Sequence, residues 1–153
     1  MEFSTHTKKA LYKSGWSEAY SFNTKEFLNI LKSNKYIVSP AAKVFLHKFG
    51  NLKVECNHTD VVGGVDELST QIHPSIANRV FPNIKKFREV LGLELCYVGD
   101  CRDGDVDLYI DMEGKFYGSD DYGLYIIGNN TVEALENIIH GKAEYDILFE
   151  NEE

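Results

Sequence analysis

Proline and tryptophan are scarce in this chain, with three and one among 153 residues, and methionine occurs only twice. No Pro/Gly/Ser-rich run divides the sequence, so one domain is expected within the usual span of roughly 100–200 residues. No internal repeat or low-complexity tract is visible apart from a short acidic end, which excludes solenoid arrays. No run approaches the roughly 18 apolar residues of a membrane span. The N-terminal MEFSTHTKKALYKSGW lacks an apolar h-region, so neither membrane nor signal peptide is expected.

Cysteine is sparse too: Cys56, Cys96 and Cys101, an odd count without a CxxC pair. A zinc site needs four tightly spaced ligands, and no such set is present. Thiols without an export signal fit a reducing cytoplasm, where they read as small apolar residues in or near strands. The five histidines form no HxxxH or HxH pair. Phosphate loops, dinucleotide fingerprints and the GxSxG elbow are missing. No cofactor or catalytic residue is expected.

What is present is apolar mass and uneven charge. Hydrophobic residues make up 43% of the chain and aromatics 12%, enough for a packed core. The net charge is −8, but residues 1–49 carry +5, residues 50–93 carry 0 and residues 94–153 carry −13. The total argues against direct nucleic-acid binding. The asymmetry points to a partner or a tail.

The pattern predicts an α+β single domain over residues 1–149, with an acidic, frayed end at 150–153. Helices are expected over Thr7 to Ser14, with Ala10, Leu11 and Tyr12 near the buried side, and after Asn23, in a capping box with Glu26. Another follows Ser39-Pro40, ending in a left-handed Gly50. Two more are expected after Asn83, using Ile84, Phe87, Val90 and Leu91, and after Asn130 or Thr131. Leu52 to Cys56 reads as a strand, and Asn57 to Pro74 mostly as loop with at most one strand. Leu95 to Val98, Asp105 to Ile110, Phe116-Tyr117 and Leu124 to Ile127 read as further strands.

The densest constellation is Asp100, Asp103, Asp105, Asp107, Asp111, Glu113, Asp120 and Asp121, opposed only by Arg102 and Lys115. Counted from Asp103, the sixth and twelfth positions of a calcium loop fall on Leu108 and Gly114, so the EF-hand pattern fails. Three readings stand: a solvated strand face, a metal-dependent hydrolytic site, or an acidic surface for a basic protein. Trp16, the lone tryptophan, reads either as a core aromatic after Gly15 or as a contact anchor.

Several segments, in order, carry a resemblance. They are Leu11-Tyr-Lys-Ser-Gly-Trp16, Ala41-Ala-Lys-Val-Phe-Leu-His-Lys-Phe-Gly50, Leu95-Cys-Tyr-Val-Gly99, Leu108-Tyr-Ile-Asp-Met-Glu-Gly114 with Phe116-Tyr117, and Leu124-Tyr-Ile-Ile-Gly128 leading to Gly141. The chain resembles the third subgroup of the SUKH superfamily of immunity proteins. The resemblance implies a mostly antiparallel sheet flanked by helices. It implies a cytoplasmic antidote that binds and blocks a cognate protein toxin, often a nuclease, without catalysis or cofactor. For the oligomeric state, a monomer and a weak dimer both stand as expectations. The alternatives are a metal-dependent hydrolase and a regulatory protein-binding module of the same fold. The sequence departs from the family where Glu18 and Tyr20 stand near a customary proline and arginine.

Overall fold

The computed structural model describes residues 2–59, 65–142 and 144–151. Its helices begin where short polar side chains can accept orphan backbone N–H groups. Ser4 caps α1 (Thr5–Lys13) by accepting from the Thr7 amide, and Gly15 follows at φ +101°. Leu11 and Thr7 face inward, whereas Tyr12 lies outside at 46% exposure. Helix α2 (Lys25–Ser33) starts one residue later than the Asn23 cap would place it: Thr24 holds the cap position, and Asn23 Oδ1 accepts from the Lys25 amide. Ser39 caps α3 (Pro40–Phe49) through the Ala42 amide, with proline at the first helical position.

Gly50 is not left-handed. Its φ is −58°, and Asn51 takes the positive φ instead, at 67°. Glycine is required there by crowding, since a Cβ would strike the Leu46 carbonyl and come within 2.9 Å of the Phe22 ring. Helix α4 (Ala77–Leu91) begins six residues before Asn83 and carries Pro82 inside it. The missing amide of Pro82 removes only one early hydrogen bond, and the buried Ala77 and Val80 hold the first turns down. Val90, assigned to the buried stripe by spacing, is 57% exposed. Asn130 caps α5 (Thr131–Ile139) by accepting from the Glu133 amide, and Gly141 follows at φ 71°. Among the described residues no helix is long and apolar enough to cross a membrane.

Seven strands make one antiparallel sheet in sequence order: β1 (Lys53–Thr59), β2 (Val65–Gln71), β3 (Cys96–Cys101), β4 (Val106–Ile110), β5 (Phe116–Ser119), β6 (Gly123–Gly128) and β7 (Asp146–Glu150). Strands β1 and β2 occupy much of the segment read as loop; residues 60–64 between them lie outside the described residues. Strand β7 was not foreseen. Its Ile-Leu-Phe run does not alternate, because Leu124 pairs with Phe149 and Tyr125 with Ile147, leaving Leu148 as a bulge. Glu150, expected in the frayed end, pairs with Gly123.

Helices cover both faces of the sheet. On one face Phe45 of α3 meets Phe116 edge-on at 5.0 Å, and α5 packs across β6 and β1. On the other, Phe87 of α4 meets Tyr109 and Phe149 at 6.2 and 6.0 Å. Consecutive Leu108, Tyr109 and Ile110 are therefore all buried. Tyr36, in the segment between α2 and α3, ties it to the start of α4 by donating to the Ala77 carbonyl.

A polar latch joins α1 to α5. Glu136 accepts from the Ser4 amide and from the Ser4 and Thr7 hydroxyls, and contacts His140 at 3.1 Å. Burial opposes its ionisation, but these donors prevail and hold its carboxyl below 4.5. The latch is then complete above the ordinary carboxylate range and weakens as pH falls through the lowered value. Glu136→Ala is expected to cost about 1 kcal/mol at pH 7, reduced by solvent screening. The deficit should shrink toward pH 3, as read by urea unfolding at both pH values.

Candidate functional site

The acidic residues separate into two groups because β4 carries them to opposite ends of the sheet. Asp107 and Asp111 stand about 13 Å apart along the strand direction at the usual rise per residue. At the far end, Asp111 builds the hairpin from β4 to β5. Its carboxylate accepts from the Glu113 and Lys115 amides and the Tyr117 hydroxyl, and the residue is only 8% exposed. Glu113 projects from that turn and is exposed.

At the near end meet the end of β3, the 3-10 turn Arg102–Gly104, the start of β4 and the β5–β6 turn. Two aspartates there also serve backbone geometry. Asp103 Oδ1 accepts from the amide and hydroxyl of Ser69, tying the turn to β2. Asp120 Oδ1 accepts from the Tyr122 and Gly123 amides and the Tyr125 hydroxyl. Aspartates favour such positions because a short carboxylate can satisfy turn amides. Asp105 and Asp121 are exposed and have no side-chain partner among the described residues.

Asp100 and Asp107 face each other across the β3–β4 ladder. Like charges directly opposite are destabilising. Burial raises Asp107 to about 6, and Asp100 pushes the same way against the opposing pull of Arg79. Asp100 is raised by burial and by Asp103. The Tyr97 hydroxyl near them is buried without a hydrogen-bond partner among the described residues. Its ionisation is resisted by burial and then by Asp100 and Asp107. Asp105, Asp107, Asp120 and Asp121 line a cleft of about 280 Å³, with Arg79 and Asn83 of α4 among its other walls.

Trp16 belongs to the core at 8% exposure, stacked against Tyr12 and Phe49 at 5.9 and 5.6 Å. Its Nε1 donates to the Lys48 carbonyl. Near it, Glu18 accepts from the Tyr12 hydroxyl and Tyr20 donates to the Gly50 carbonyl, so both family departures have local partners. All three cysteines are free and buried, and burial pushes Cys56 to about 11 and Cys96 and Cys101 to about 12. Such thiols stay protonated and are poor nucleophiles at neutral pH. Among the described residues no three His, Cys, Asp or Glu side chains converge to hold a metal ion.

Sequence reasoning did not single out Arg79 or Tyr122. Arg79 reaches the cleft only because α4 starts early and crosses the sheet. Tyr122 stands 76% exposed on the β5–β6 turn, beside Asp121. Its neighbours Asp120, Asp121 and Gly123 marked the turn, and an aromatic on a turn tip was the available signal.

Asp107 has a testable energetic signature. Between about 3.8 and 6 the folded protein binds the proton that the unfolded chain has released. Stability therefore falls as pH rises through that window. Asp107→Asn should stabilise the protein by about 1–2 kcal/mol at pH 7 and by little at pH 4. Denaturant midpoints at the two pH values check this.

The SUKH-3 immunity protein family matches the chain over residues 3–141. No curated protein and no solved structure matches it. The matched span takes in α1 through α5 and the whole acidic stretch, leaving β7 beyond it. A match over nearly the whole chain, on an α+β fold with a seven-stranded antiparallel sheet, establishes that this protein belongs to the SUKH-3 immunity protein family.

Proposed function

We propose that the protein binds and neutralises a cognate toxin, a nuclease, by laying the acidic near end of its sheet over the toxin's cationic surface. The observation that carries this reading is a set of carboxylates that outnumber the cations beside them. Asp105 and Asp121 are exposed without partners among the described residues, and Asp107 is held opposite Asp100 at an energetic cost. A nuclease must present positive charge to hold phosphate. Carboxylates spread over one surface match that charge, accelerate encounter and fix register. Occlusion of this kind requires neither catalysis nor a cofactor.

Within the acidic set, roles divide by geometry. Asp105, Asp107 and Asp121 meet the partner, with Asp100 and Asp120 beside them. Asp103 and Asp111 act through the turns they hold, and Glu113 and Trp16 lie apart from the cleft. A cation brought against Asp107 lowers its pKa, so binding releases a proton near pH 6. Association is then tighter at pH 7 than at pH 5.

The decisive test is co-expression with nuclease toxin domains drawn from the genes that neighbour this one in its genome. Growth should be rescued, and a purified complex should form with the toxin's activity blocked. The double substitution Asp105→Asn/Asp121→Asn should slow association about tenfold at low ionic strength. The gap should close above about 0.5 M salt, where charges are screened within a few ångströms. Both residues are exposed, so thermal stability should not move. An unchanged on-rate at low salt would remove the charge argument.

A further inference from the structure

On the sheet face that carries α5, a cavity of about 370 Å³ opens between β4, β6 and β7. Val106, Tyr125, Ile127, Ile138, Tyr145 and Ile147 form most of its lining. Gly118 shapes it from below: a Cβ there would come within 2.7 Å of Ile127 Cδ1 and 2.9 Å of Val106 Cγ1. Protein interiors leave few voids larger than a water molecule. A cavity of this size falls instead in the lower range of ligand pockets.

The cavity does not stand alone. Arg102, Val106 and Asp120 also line a neighbouring depression of about 350 Å³, which includes Asp105, Asp121 and Tyr122. That depression shares Asp105, Asp120 and Asp121 with the acidic cleft against α4. The three form one track around the near end of the sheet, apolar at one end and acidic at the other. Asp120 joins the two halves, because its Oδ1 accepts the Tyr125 hydroxyl at 2.7 Å and so orients a cavity wall.

We propose that the cavity receives one aromatic side chain of the toxin, carried on a basic segment whose cations lie over Asp105, Asp120 and Asp121. This rests on the toxin-binding reading above and names the anchor within it. Charge chooses the occupant. Arg102 and Arg79 are outnumbered along the track by Asp105, Asp107, Asp120, Asp121 and Glu144. A second copy of this chain would bring like charge to like. A free small molecule would fill the cavity and leave the acidic two-thirds of the track empty, whereas a polypeptide spans it. Interface energy concentrates on aromatic anchors in apolar pockets ringed by polar residues.

The first test needs no toxin. The ¹⁵N-labelled protein is titrated with the tripeptide amide Trp-Lys-Lys and, as controls, with Ala-Lys-Lys and Trp-Glu-Glu amides. Trp-Lys-Lys should give saturable shifts at the amides of Val106, Ile127, Ile138 and Ile147, with both controls at least about tenfold weaker. Ile147 is 54% exposed, so Ile147→Lys should fold normally and abolish the Trp-Lys-Lys shifts. Absent or unsaturable shifts, shifts elsewhere, or equal binding by either control overturn the proposal. Full toxin neutralisation by Ile147→Lys also overturns it, while leaving the immunity reading intact.

Discussion

Each strand of this protein pairs with its neighbour in sequence, and helices cover both faces of the resulting sheet. That arrangement is the constraint on which the rest depends. With both faces buried, the central strands admit few charged side chains, as the run Leu108-Tyr109-Ile110 shows. Strand-to-strand reversals fall at the two ends of the sheet, where aspartates are favoured because they can accept turn amides. Asp103, Asp111 and Asp120 are accounted for in this way. Part of the acidic density in the second half of the chain is thus a consequence of a meander with tight reversals.

The remainder is not explained by folding. Asp100 and Asp107 sit opposite each other in the ladder, partly buried, near a tyrosine hydroxyl with no hydrogen-bond partner among the described residues. Asp105 and Asp121 extend the same potential into solvent. A fold selected only for stability would place an uncharged pair across this rung. In the proposed complex, the like charge at this end of the sheet is the surface that a cationic partner would meet. The apolar cavity on the adjoining face would add to it a place for desolvated contact.

Much of the fold was legible in the sequence. Ser39-Pro40 and Asn130 mark helix starts through local hydrogen bonds, and the structure has caps at both. Other readings failed where a neighbour distant in sequence decided the outcome. Spacing alone started the fourth helix at Asn83, but Ala77 and Val80 bury against the core and extend it through Pro82. Gly50 looked like a left-handed stop, yet it is small because Leu46 and Phe22 crowd it. Strand β7 carried no alternation to read, since its bulge at Leu148 breaks the register.

Fold class, family and the acidity of the second half of the chain are all readable from residue order alone. These follow from local periodicity, ordered motifs and composition, which need no knowledge of what lies across the chain. Which carboxylates build turns and which stand exposed without a side-chain partner among the described residues was fixed by the folded arrangement. It also chose the core reading of Trp16 over the contact one, brought Arg79 to the cleft and opened a cavity between β4, β6 and β7. Those properties depend on strand register and on helices crossing the sheet. They join residues many positions apart, through burial and opposed charge that linear spacing does not encode.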